Sequence, residues 1–104
     1  MTPAELFVVG LSWRTAPVAV REHLAFAEDE LPHVLADVRG AAGVAEAMVL
    51  STCNRVEVYG AAAPGEGARA LAEVRRALVA RRAPVPPEVA AALYGHVGEA
   101  AIDH

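Results

Sequence analysis

The order strand, helix, strand, strand, helix, strand along this sequence predicts an α+β fold, a ferredoxin-like split-βαβ sandwich. Its sheet is expected to be antiparallel or mixed, with helices on one face. Three observations carry that expectation. Short apolar runs of strand length alternate with longer stretches at helical spacing, polar or glycine- and proline-rich segments separate them, and 104 residues suffice for one small domain but not two.

Taken in order, Leu6 to Leu11 is a Val- and Phe-containing run suited to a buried strand. Thr15 can cap a short additional helix with Pro17 in its first turn, running through Val20 and Leu24 to about Phe26. Asp29 is the expected N-cap of the next helix, where Leu31, Val34, Leu35 and Val38 share one face and Gly40 closes it. Ala47 to Leu50 reads as the second strand. Val56 and Val58, alternating with Glu57 and Tyr59, predict a third strand with one wet face. Ala61 to Gly67 is a loop by its Pro and Gly content. A long helix follows to about Arg82, with Leu71, Val74 and Leu78 inward and Arg69, Glu73 and Arg76 outward. Pro84, Pro86 and Pro87 end it, a short helical turn reaches Ala92, and Leu93 to His96 is the last strand. Gly98 to His104 opens a further helix without a stop signal, so the chain is expected either to be a piece of a longer protein or to have a frayed natural end.

Composition narrows the chemistry. Hydrophobic residues make up 55% of the chain but aromatics only 5%, so an alanine-rich core of modest stability is expected. The formal net charge of -4 argues against gripping nucleic acid by bulk electrostatics. All nine cationic side chains are arginine, which excludes a lysine base or Schiff base within these residues. The single cysteine excludes an intrachain disulfide and suits a reducing compartment, and no apolar run reaches the roughly 18 residues of a membrane span. A soluble, cytoplasmic protein without a membrane partner is expected. No His, Cys and carboxylate cluster has metal spacing, so no metal is expected. Neither a G-x-G-x-x-G run nor a phosphate-binding Walker loop is present, so no cofactor-binding residue is expected in this chain.

The remaining candidates converge on Cys53. A lone cysteine is more often a small buried hydrophobe than a nucleophile, but this one lies between two strands among Ser51, Thr52, Asn54 and Arg55. Arg55 can favour the thiolate or bind a substrate carboxylate through its planar fork, and spacing alone does not choose. Of four histidines, His23 and His33 sit beside charges on expected helices, whereas His96 and His104 could each approach Cys53 only through tertiary folding. Ser12 and Arg14 follow the first strand, where binding loops are common. Arg81 and Arg82 complement a helix C-terminus as readily as they bind phosphate.

Two segments go beyond generic pattern. Gly10-Leu-Ser-Trp-Arg-Thr-Ala-Pro-Val-Ala-Val-Arg-Glu22 and, some way on, Leu50-Ser-Thr-Cys-Asn-Arg-Val-Glu-Val-Tyr59 together closely resemble the N-terminal catalytic domain of glutamyl-tRNA reductases. The resemblance covers essentially the whole chain, residues 1–104, and departs at Trp13, where that family usually has histidine. It implies an NADPH-dependent oxidoreductase that converts glutamyl-tRNA to glutamate 1-semialdehyde for tetrapyrrole (porphyrin) biosynthesis through a thioester intermediate. By the same resemblance Cys53 is the nucleophile and His104 a candidate acid/base, ahead of His96. Thr52, Asn54 and Arg55 bind substrate, with Ser12 and Arg14 as further candidates. NADPH would bind outside this chain, in a domain that, like a dimerising helical region, is absent here; the isolated chain would not complete the reduction. A homodimer and an aminomutase, the next enzyme of the pathway, are the implied partners. The alternative reading is a noncatalytic binding or scaffold module built on the same domain.

Overall fold

A computed structural model describes residues 4–12, 17, 19–20, 22, 25–52 and 55–103. Strand β1 (Glu5–Ser12) is followed by a 3-10 turn (Glu28–Glu30) that runs directly into helix α1 (Leu31–Arg39). Strands β2 (Val44–Ser51) and β3 (Arg55–Ala62) lead to helix α2 (Gly67–Arg81). A short helix α3 (Pro87–Ala92), strand β4 (Tyr94–Val97) and helix α4 (Glu99–Asp103) complete the order. The four strands form one sheet in the order β2-β3-β1-β4, every neighbouring pair antiparallel. This is the split-βαβ arrangement expected of a ferredoxin-like sandwich, with β3 inserted between β1 and β2.

Register assigns each strand residue to a face. Phe7, Val9 and Leu11 of β1 pair with Gly60, Val58 and Val56 of β3, and this set points toward the helices. There Phe7, Val9, Val56 and Val58 meet Val34 and Val38 of α1 and Val74 and Leu78 of α2, all essentially inaccessible. Each such side chain contributes about 2 kcal/mol by leaving water. Gly60 is part of that packing: a Cβ there would lie 2.2 Å from the Phe7 ring, which fills the space instead. A smaller cluster of Leu11 and Val89, flanked by Val20, Val85, Ala92 and Leu93, seals the end of β1 against α3.

The second face of the sheet carries no described helix against β2 and β3, and it exposes Met48 and Leu50 of β2. Two local expectations need correction. Asp29 does not cap α1; the Ala27 N–H donates to Glu30 Oε1 at 3.3 Å, half of a capping box, because the 3-10 turn moves the first orphan amides upstream. Of the helix expected to reach Phe26, Ala19, Val20 and Glu22 are helical but 25–27 are not, and Phe26 instead joins the core. Thr15, Val18, His23 and Leu24 lie outside the described residues.

Candidate functional site at the β2–β3 turn

Strands β2 and β3 are joined at the end of the sheet where β1 terminates. The Thr52 N–H donates to the Arg55 carbonyl at 2.7 Å, and the Arg55 N–H donates to Thr52 Oγ1 at 3.1 Å. Only positions 53 and 54 lie between these closing bonds. Threonine suits this place because its hydroxyl can take a turn amide that the ladder leaves over. The chain just before the turn is also anchored: Ser51 Oγ accepts the Phe26 N–H at 3.3 Å and lies 3.5 Å from the Phe26 carbonyl oxygen.

From this turn Arg55 reaches the second face of the sheet, where its Cα partner on β1 is Ser12. Ser12 is buried, so the structure brings together two of the substrate-binding candidates. Arg55 Nη1 donates to Glu57 Oε1 at 3.3 Å, while 46% of the Arg55 side chain remains exposed. Thr52 is exposed at the turn. His96 lies on β4, half-buried, with its ring 5.9 Å from that of Tyr94. Cys53, Asn54, Arg14 and His104, together with Trp13, lie outside the described residues.

The main departure from expectation is Glu57. The alternation of β3 gave it to a wet face, yet it is wholly buried. Its carboxylate accepts from Arg55, from Tyr59 Oη at 2.9 Å on Oε1, and from Tyr94 Oη on Oε2. The register explains how two side chains from strands that are not neighbours can meet. Gly10 is the Cα partner of both Glu57 on β3 and Tyr94 on β4, so the two face each other across a residue without a side chain. A Cβ on Gly10 would lie 2.1 Å from the Val56 carbonyl oxygen and 3.0 Å from Glu57 Cγ. Burial, then the bond to Glu57 and its charge, raise the pKa of Tyr94 above the ordinary tyrosine value, and the same causes in the same order raise that of Tyr59. Both phenols therefore stay protonated and act as donors to the carboxylate at neutral pH. A glycine inside an apolar strand was the available signal for this close approach.

Both ends of α2 are already engaged. Gly65-Glu66-Gly67-Ala68-Arg69-Ala70 runs from the loop after β3 into α2, a relaxed form of the glycine fingerprint that places phosphates on a helix N-terminus. Here the Gly67 N–H donates to the Glu5 carboxylate at 2.8 Å, and a Cβ at Gly67 would touch Glu5 as well as Val97. An acidic side chain occupies the place of the anion, so these residues do not fit a dinucleotide. Arg81 and Arg82, the other phosphate candidates, are bound to Asp37 and Glu30. No helix among the described residues is long and apolar enough to cross a membrane.

Comparison with known proteins agrees with the resemblance carried by the two motifs. Residues 9–104 match the family model described as glutamyl-tRNAGlu reductase, N-terminal domain. A glutamyl-tRNA reductase of Salinispora arenicola is 44% identical over 100 residues, covering 96% of this chain and 22% of the relative. Those of Solibacter usitatus and Syntrophotalea carbinolica are 42% and 41% identical, over 96% and 93% of this chain and 23% and 21% of theirs. The chain thus spans about a fifth of the length of these curated relatives. With matching motifs, a matching family model and this identity over nearly its whole length, the chain belongs to the glutamyl-tRNA reductase N-terminal domain family.

Proposed function

We propose that this chain performs the acyl-capture half of glutamyl-tRNA reduction. The Cys53 thiolate attacks the ester carbonyl of glutamyl-tRNA, a carbon–sulfur bond forms, the carbon–oxygen bond to the terminal ribose breaks, and the departing alkoxide takes a proton from an acid. His104 is the acid in this reading, and the backbone N–H groups at positions 53 and 54, between the two closing bonds of the turn, are the donors assigned to the tetrahedral oxyanion. Arg55 binds the substrate's side-chain carboxylate, with Thr52, Asn54, Ser12 and Arg14 completing the substrate contacts. The observation that supports the reading is the turn itself: Thr52 and Arg55 close on each other across the two positions between them, and the Arg55 side chain is half-exposed while Glu57 holds its guanidinium. Sequestered as a thioester, the glutamyl group can be reduced once to the aldehyde, glutamate 1-semialdehyde, which is the entry to tetrapyrrole synthesis.

NADPH supplies hydride for that reduction when it is bound. The α2 N-terminus, with Glu5 in its anion position, does not fit it, so the chemistry assigned to this chain ends at the thioester. The test is intact-mass detection of a glutamyl adduct after mixing the chain with glutamyl-tRNA. The adduct is expected with Cys53 and absent in Cys53→Ser; an adduct that survives the substitution overturns the nucleophile. A Cys53 that resists alkylation in the folded chain, with no adduct, supports the noncatalytic module instead.

A further inference from the structure

Glu57 is an expensive residue to bury. A carboxylate removed from water costs several kcal/mol unless paired and fully hydrogen-bonded, and apolar side chains of similar size would serve a sheet face at least as well. The cluster around Glu57 is also placed where stability alone does not require it. It lies on the face opposite the main core, one row from the end of the sheet that carries the β2–β3 turn. Its partners come from two segments that bear site candidates. Arg55 follows Cys53 by two residues in the sequence, and Tyr94 lies on the strand that bears His96 and leads toward His104. Gly10, which admits the Glu57 side chain, lies on the strand that ends at Ser12.

We infer that Glu57 is the positioning residue for Arg55: its buried carboxylate, held by Tyr59 and Tyr94, fixes the guanidinium at the turn so that the exposed part of the fork meets the substrate carboxylate in one orientation. The two tyrosines make this possible. A carboxylate can accept about four hydrogen bonds, and the phenols take up acceptor sites on both oxygens, so the group is immobilised before Arg55 is added. Arginine is otherwise a long side chain with much rotamer freedom, and a fixed acceptor on one nitrogen removes that freedom in advance of binding. The bond occupies Nη1 and leaves the remaining donors of the fork for a ligand. Glu57 itself touches no substrate in this scheme. Its effect is transmitted entirely through Arg55.

This inference rests on the proposed role of Arg55, and a double-mutant cycle separates the two. The rate of adduct formation on Cys53 is measured against glutamyl-tRNA concentration for the unaltered chain, Glu57→Gln, Arg55→Ala and the double variant, with the fold of each checked by far-UV circular dichroism. Glu57→Gln is expected to raise the half-saturating concentration about tenfold while changing the saturated rate less than about twofold, the size of one charge-assisted hydrogen bond. In the Arg55→Ala background the same substitution is expected to have no effect, because the group it positions is gone. Equal losses in both backgrounds, or no loss in the first, overturn the positioning role. An Arg55→Ala chain that saturates like the unaltered one overturns the role of Arg55 instead. Should Glu57→Gln not fold, Glu57→Asp keeps the charge but draws the carboxylate back by one methylene, and the same dependence on Arg55 is expected of it.

Discussion

Two carboxylate clusters in this molecule look alike as ion pairs and differ in what surrounds them. Glu30, at the start of α1, is bound by Arg82 through both oxygens at 2.5 and 2.8 Å, with Arg81 bridging from Glu30 to Asp37 at 2.7 Å. All of these side chains remain a quarter to a half exposed. Arg82 also stacks on Phe26, 4.7 Å from the ring centroid, and donates to the Ala25 carbonyl. Glu57 accepts from a half-exposed arginine and from two tyrosines among the described residues, and it is wholly buried. The first cluster is a clasp between the ends of α1 and α2, built where water can still solvate it, and such pairs contribute little. The second required a glycine in β1 and two phenols to desolvate a charge beside the proposed site. Where a protein accepts that penalty, a function is the stronger explanation than stability.

The comparison can be broken most forcefully at Gly10. Gly10→Ala sets a Cβ 2.1 Å from a backbone oxygen that cannot swing aside, and a loss of at least about 3 kcal/mol in urea unfolding is expected. Glu57→Ala comes next, at about 3 kcal/mol, because it leaves Tyr94 and Tyr59 without their acceptor and Arg55 without its partner. Glu30→Ala, measured the same way, is expected to cost clearly less than Glu57→Ala, and to cost less still in high salt. A Glu30 effect that equals that of Glu57 would remove the distinction between the clusters.

Acid provides a finer separation. The hydrogen bond from Arg82, foremost among several causes, lowers the Glu30 pKa from 4.5 to about 2. A lowered folded-state value means that the contribution is present above pH 4.5 and is lost as the pH falls toward 2. Glu30→Gln is therefore expected to flatten the stability profile in that interval and leave it unchanged in shape above it. The smallest effects belong to the outer face of α2. Arg69 and Arg76 pair with Glu66 and Glu73 at 3.5 and 3.4 Å in the solvent, and alanine at either arginine is expected to change stability by less than about 0.5 kcal/mol.

Much of the fold was legible because its signals are local. Val34 and Val38 on α1, Val74 and Leu78 on α2 and the run from Leu6 to Leu11 announce their faces by period alone. The order of elements then left few antiparallel arrangements. The identity of the turn was equally legible, since Ser51 to Arg55 interrupts two strands with an uninterrupted polar run. Glu57 was not, because alternation places it on a face without saying whether that face is wet. Its burial depends on Tyr94, 37 residues away, and on a gap in a third strand. The pairing of Arg81 and Arg82 with Asp37 and Glu30 was hidden for a similar reason: only the packing of α1 beside α2 brings those charges together.

The bond between Phe26 and Ser51 gives this protein a built-in reporter. Most protected amides in such a domain are held by ladder or helix partners and open when those elements open. The Phe26 amide is held by a side-chain hydroxyl at the last position of β2, one residue before the Thr52–Arg55 closure. Its hydrogen-exchange rate therefore tracks the junction between that segment and the turn, separately from the sheet. Slowed exchange at Phe26 on addition of glutamyl-tRNA, with the amides of β1 unchanged, would register substrate engagement from Ser51, two residues before the proposed nucleophile, without touching its thiol.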